Sequence, residues 1–190
     1  MKMAKKLLAL VLTGVMAMSV LTGCGSTASR QAAGKLEGML EGMLKEANPN
    51  ATVEVGSEEL ANKAIEAATT ADGKLKEEKA RQKSIVDALK NANKDEYVWY
   101  ACFKAEGMNK TEKAQAISKV VLIGDGKAID DISALNGISL KNNGYKPGDA
   151  FVLSMKEFTV TSDDGKTTTD WIMAVVTCKA VVTCKAVENK

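Results

Sequence analysis

The sequence predicts an α+β domain, with N-terminal amphipathic helices packed on a C-terminal, mainly antiparallel sheet that contains a long β-hairpin. Three observations carry this prediction. From 34 to 91, apolar residues recur at helical spacing among charged ones. From 97 onward, β-prone runs alternate with turn residues. Two long β-rich runs, 151–161 and 167–179, are joined through Ser162-Asp163-Asp164-Gly165-Lys166, and an Asp-Gly turn between such runs is a strong hairpin signal.

The elements follow in chain order. Leu36-Glu37-Gly38-Met39 and Leu40-Glu41-Gly42-Met43 form a four-residue repeat that continues into Leu44. On a helix this stacks Leu36, Leu40 and Leu44 in one row, Met39 and Met43 beside it, and Gly34, Gly38 and Gly42 in another. Each glycine costs about 1 kcal/mol against Ala, so this helix gains order only by packing its Leu/Met face. Asn48-Pro49-Asn50 ends it. Residues 52–55 read as a short strand. Ser57 is the expected N-cap of the next helix, with Glu58 and Glu59 complementing its dipole and Leu60, Ala64, Ile65 and Ala68 forming its apolar stripe. After a break at Ala71-Asp72-Gly73, residues 74–91 read as a solvated helix pinned by Ile85, Val86 and Leu89.

Residues 97–103 read as a strand with apolar side chains on both faces. Residues 119–123 suggest another strand, 130–135 a short helix with Ile129, Ile132 and Leu135 inward, and 138–140 a further short strand. Asn142-Asn143-Gly144 and Pro147-Gly148-Asp149 read as turns. In 167–179, period two places Trp171, Met173 and Val175 on one face and Ile172, Ala174, Val176 and Cys178 on the other. Ala174-Val175-Val176-Thr177-Cys178-Lys179 is followed at once by an identical copy, 180–185. The repeat is even in length, so a continued strand keeps Cys184 on the face of Cys178.

The start of the chain has a different character. Lys2, Lys5 and Lys6 precede an apolar run of fourteen residues, 7–20, and Leu21-Thr22-Gly23-Cys24 follows. The run is too short for a hydrocarbon core that needs roughly 20 helical residues, but it suits a secretory signal. With small residues leading to a cysteine, the segment resembles the lipobox of bacterial lipoprotein precursors. That resemblance implies cleavage after Gly23, a diacylglyceryl group on the Cys24 sulfur, and a location at the extracytoplasmic face of a cell membrane. A plain signal peptide that happens to precede a cysteine, or an uncleaved short anchor, are the alternatives. The resulting organisation is a signal at 1–23, a lipidated N-terminus and tether at 24–33, and a single extracytoplasmic domain at 34–190. Gly25 and Ser26 stand where the Asp of a Gram-negative inner-membrane retention signal would stand.

The formal charge is +2, but without Lys2, Lys5 and Lys6 the balance is 23 basic against 24 acidic residues. Such a near-neutral exterior predicts no nucleic-acid partner, and attachment to membrane through the lipid alone. The absence of histidine removes His-based acid/base and nucleophilic arrangements and nearly all zinc sites. Adjacent pairs such as Asp130-Asp131 and Asp163-Asp164 diverge on either a helix or a strand, so neither pair forms a dyad. No catalytic, metal or cofactor residue is assigned, and no cofactor is expected. Outside the cytoplasm a disulfide is permitted; a Cys102–Cys178 bridge is one arrangement, Cys102–Cys184 its rival, and buried thiols the third.

Four of the five Tyr and Trp residues, Tyr97, Trp99, Tyr100 and Trp171, fall on two expected strands. They suit either a ligand surface or the helix–sheet core. The function expected is a non-catalytic binding or accessory module that contacts an envelope protein, peptide or glycan. The alternatives are a structural component that forms homo-oligomers through the glycine-rich helix at 34–47, and a histidine-free envelope enzyme.

Overall fold

The computed structural model describes residues 26–90, 95–123, 132–135 and 137–183. The elements are α1 (Ser26–Lys45), β1 (Thr52–Val55), α2 (Glu59–Ala68), α3 (Glu78–Leu89), β2 (Glu96–Lys104), α4 (Lys110–Ile123), β3 (Ile132–Leu135), α5 (Gly137–Asn142), β4 (Tyr145–Thr161) and β5 (Thr168–Val182). They form an α+β fold around one five-stranded sheet of order β1-β4-β5-β2-β3. Three of its four pairings are antiparallel, and β1 runs parallel to β4. The expected hairpin is its spine: β4 and β5 pair from Phe151↔Cys178 to Thr161↔Thr168, and Gly165 at φ 70° shapes the turn.

Helices cover both faces. On the first, Leu36, Leu40 and Leu44 of α1 and Ala114, Ile117 and Val120 of α4 pack against Tyr97, Trp99, Phe151, Leu153, Met155, Ile172, Ala174 and Val176. On the second, Ala61, Ala64, Ile65 and Ala68 of α2 and Ile85 and Leu89 of α3 pack against Val98, Tyr100, Cys102, Phe158, Val160, Met173 and Val175. The alternation expected for 171–178 is the one observed. Because β2 and β5 are covered on both sides, their sequences read as nearly unbroken apolar runs.

Several expected elements differ. Residues 119–123 are the last turn of α4, whose Ala114, Ile117 and Val120 recur at helical spacing. Asn109 and Glu112 cap it reciprocally, with Glu112 N donating to Asn109 Oδ1 (3.0 Å) and Asn109 N to Glu112 Oε2 (2.8 Å). The segments after it exchange roles: 132–135 is strand β3, paired with Val98–Ala101 of β2, and 137–142 is helix α5. Pro147-Gly148-Asp149 is an irregularity inside β4, not a turn between elements, because pairing resumes on both sides of it. Gly148 allows this: a Cβ there would lie 3.1 Å from the Lys179 carbonyl oxygen and 3.3 Å from Val181 Cγ1.

Two N-terminal features also change. Helix α2 begins at Glu59 with Glu58 at the cap position and no side-chain cap bond. The expected Ser57 cap is replaced from β4, where Ser154 Oγ accepts the Ala61 N–H at 3.1 Å. The expected tether is helical from Ser26 onward, as part of α1.

Candidate functional site

The aromatic cluster read as a ligand surface is core. Tyr97, Trp99 and Tyr100 are buried and Trp171 is partly buried. Alternation along β2 splits them, with Tyr97 and Trp99 on the α1/α4 face and Tyr100 on the α2/α3 face beside Trp171. Tyr97 stacks on Trp99 with ring centroids 5.6 Å apart, and Phe151 lies 6.1 Å from Trp99. The Tyr97 hydroxyl donates to the Tyr145 carbonyl at 2.9 Å. These rings hold β2 to the adjoining layer and present no recognition surface.

The Cys102–Cys178 bridge is likewise corrected. Cys178 is paired in register with Tyr97, five positions along β2 from Cys102. That offset corresponds to ~17 Å, far beyond disulfide reach. The two sulfurs also face opposite sides of the sheet, and neither is bonded to another cysteine. Burial pushes the Cys178 thiol up to about 11; Asp149 and Glu96 add to this, and the Gly148 N–H opposes it. Such a thiol is inert at neutral pH. Cys24 and Cys184 lie outside the described residues.

Polar groups of β4 and of the hairpin turn have structural partners. Lys156 Nζ donates to Asn62 Oδ1 at 2.7 Å and lies 3.9 Å from Glu58 Oε2, tying β4 to the start of α2. Asp164 accepts from Ser162 Oγ and from Lys166 N within the hairpin turn, and the Ser162 hydroxyl holds its carboxyl below the usual range. Asp130-Asp131 lies outside the described residues. Among the described residues no cluster of three or more acidic or cysteine side chains could hold a metal, and no helix is long and apolar enough to cross a membrane.

Two surfaces do stand out. Gly34, Gly38 and Gly42 face outward along α1, with nothing within 4 Å of an added Cβ, and Met39 is exposed beside them. At the other surface, where β4 begins and β5 ends, Tyr145 (37% exposed), Val181 (40%) and Val182 (66%) are open to solvent. Tyr145 is register-paired with Val182, and Lys146 with Val181. Sequence reasoning missed this trio because the expected strand ended at Lys179, and the second copy of the repeat was read only for the face on which it would place Cys184. The signal available was the repeat itself: its second copy extends β5 past Glu96, the first residue of β2.

The turn after α1 sits at this same end. Asn48 Nδ2 donates to Asp149 Oδ1 at 3.0 Å, and Glu41 Oε2 accepts the Val53 N–H of edge strand β1 at 3.1 Å. The exposed trio and the C-terminal end of α1 therefore share one pole of the molecule. Comparison with protein-family models, with curated proteins and with solved structures finds no match for this chain.

Proposed function

We propose that the chain is a lipid-anchored, extracytoplasmic protein of a bacterial envelope, acting as a non-catalytic binding or accessory module. One observation carries the anchor: a lysine-rich start, an apolar run too short to span, and Leu21-Thr22-Gly23-Cys24 occur in that order. Two or more acyl chains hold a protein durably at a bilayer, which suits a chain whose own charges nearly cancel. The binding half is supported by the exposed Tyr145, Val181 and Val182, an apolar group at a strand end. An envelope protein, peptide or glycan is the partner class.

Fractionation of host cells tests the anchor. The wild-type protein is expected in the membrane fraction and released by detergent, with Cys24→Ser shifted to the soluble or unprocessed pool. Equal partitioning of the two would remove the anchor from the account. Crosslinking from intact cells, compared with Val182→Glu, tests the binding half; an unchanged adduct pattern would argue against that surface.

A second reading is favoured by the outward glycine row of α1 beside exposed Met39: self-association through that helix. It predicts a concentration-dependent mass in solution that Gly38→Leu with Gly42→Leu abolishes. A monomeric wild-type protein at all concentrations would dismiss it.

A further inference from the structure

We propose that the anchor also sets which end of the domain meets the membrane: the hairpin-turn pole faces the lipid, and the Tyr145/Val181/Val182 pole faces away. This rests on the lipid-anchor reading above. The argument begins with α1, which is helical from Ser26 and continuous to Lys45. Only Gly25 separates Cys24 from that helix.

The direction of α1 follows from its packing. Its C-terminal end is held at the start of β1 and at Asp149 by the bonds of Glu41 and Asn48. Its buried residues from Ala33 to Leu44 then return across the sheet. From Leu44 back to Ser26 the helix covers ~27 Å at 1.5 Å per residue. From Phe151 to Thr161, β4 covers ~33 Å. The N-terminal end of α1 therefore lies toward the end of β4 that enters the turn at 162–167. Helix α4, which packs beside α1, starts at that end too, since Lys113 pairs with Glu157 at 3.2 Å.

Magnitudes decide between a directed and a freely tumbling domain. Among the described side chains, the first buried one of α1 is Ala33. Maximal chain reach per residue and seven helical residues cap its distance from the Cys24 backbone at ~17 Å. β4 alone, 17 residues long, spans ~50 Å. The anchor is thus short against the molecule and directional, whereas a coil of equal length would be reoriented freely. Electrostatics do not compete, because the hairpin-turn pole mixes Lys104, Lys110 and Lys166 with Glu106, Asp163 and Asp164.

The test uses the mature acylated protein, beginning at Cys24, in neutral phosphatidylcholine vesicles, in a Cys184→Ser background. One fluorophore is placed at Lys166→Cys or at Asn143→Cys, with an acceptor on the lipid headgroups. Energy transfer from position 166 is expected to exceed that from 143 by at least twofold. Inserting ten Gly/Ser residues between Gly25 and Ser26 is expected to erase the difference. Equal transfer from both positions, or greater transfer from 143, in protein whose mass shows the acylated Cys24 overturns the orientation alone. A sample lacking acyl mass and failing to float with vesicles overturns the anchor, and the orientation with it.

Discussion

Removing one copy of the Ala-Val-Val-Thr-Cys-Lys repeat is expected to leave the fold nearly untouched, although it takes six residues out of the end of a strand. Deleting 174–179 or 180–185 yields the same chain, in which Ala186, Val187 and Glu188 move to positions 180, 181 and 182. The register partners Pro147↔Ala180 and Lys146↔Val181 keep identical side chains, so the contacts around Gly148 survive. The one changed pair is Tyr145↔Val182, where Glu replaces a Val already 66% exposed. With about a third of that side chain buried, the loss is ~0.5 kcal/mol, or a Tm shift of roughly 1–2 °C at this size. The control is deletion of 168–173, also six residues. It keeps the strand pairings but brings Thr177, Cys178 and Lys179 to the places of Trp171, Ile172 and Met173. Burying Lys179 where Met173 is fully covered leaves an unpaired ammonium in the core, together with lost Trp and Ile packing, and is expected to cost more than ~5 kcal/mol. Thermal and urea denaturation of both variants read this directly. Similar destabilisation by the two deletions, or a loss above ~2 kcal/mol for the repeat deletion, would refute the assigned register.

Four further outcomes follow from the packing. Replacing Gly34, Gly38 and Gly42 together with Ala is expected to stabilise the protein by ~2–3 kcal/mol in thermal denaturation, because each is helical and has open space at Cβ; a lowered Tm would mean that the row is packed against something. Ser154→Ala removes the acceptor of the buried Ala61 N–H and is expected to cost ~1–2 kcal/mol in urea denaturation, against no measurable change for Ser57→Ala; a reversed order would restore Ser57 as the cap. In unreduced native protein at pH 8, iodoacetamide is expected to leave Cys102 and Cys178 unmodified, and denaturant without reductant to expose both; a protected pair under denaturant would restore the bridge. Because burial raises the Cys178 thiol, the native state holds that proton more tightly than the unfolded chain does. Its contribution to stability is complete below pH about 9 and is lost as pH rises toward about 11. Comparison of the denaturation midpoint from pH 8 to 11 with that of Cys178→Ala should show this part of the slope vanish.

The parts of the fold legible in the sequence are those where local chemistry and tertiary packing agree. Asp-Gly between β-branched runs specified the hairpin, and the Leu36/Leu40/Leu44 row specified the buried face of α1. At 119–123, Val120, Val121 and Ile123 favour a strand locally, but the Asn109/Glu112 capping box commits the segment to a helix from its other end. That box was readable and outweighed the propensity. The exchange at 132–142 had no such signal, since a short apolar run fits either state and pairing with β2 decides it. The replacement of Ser57 by Ser154 was illegible for a different reason: the donor and acceptor are 93 positions apart. For the candidate site, composition identified Tyr97, Trp99, Tyr100 and Trp171 as unusual. Their burial depended on helices covering both faces of β2, which no pattern within 97–103 specifies.

The central claim, attachment through Cys24, is tested most directly by the intact mass and N-terminal peptide of the protein extracted from membranes of its native host. The account predicts a mature chain beginning at Cys24, with a diacylglyceryl mass on that residue and no trace of residues 1–23. A chain that retains Met1 and carries no lipid would contradict it.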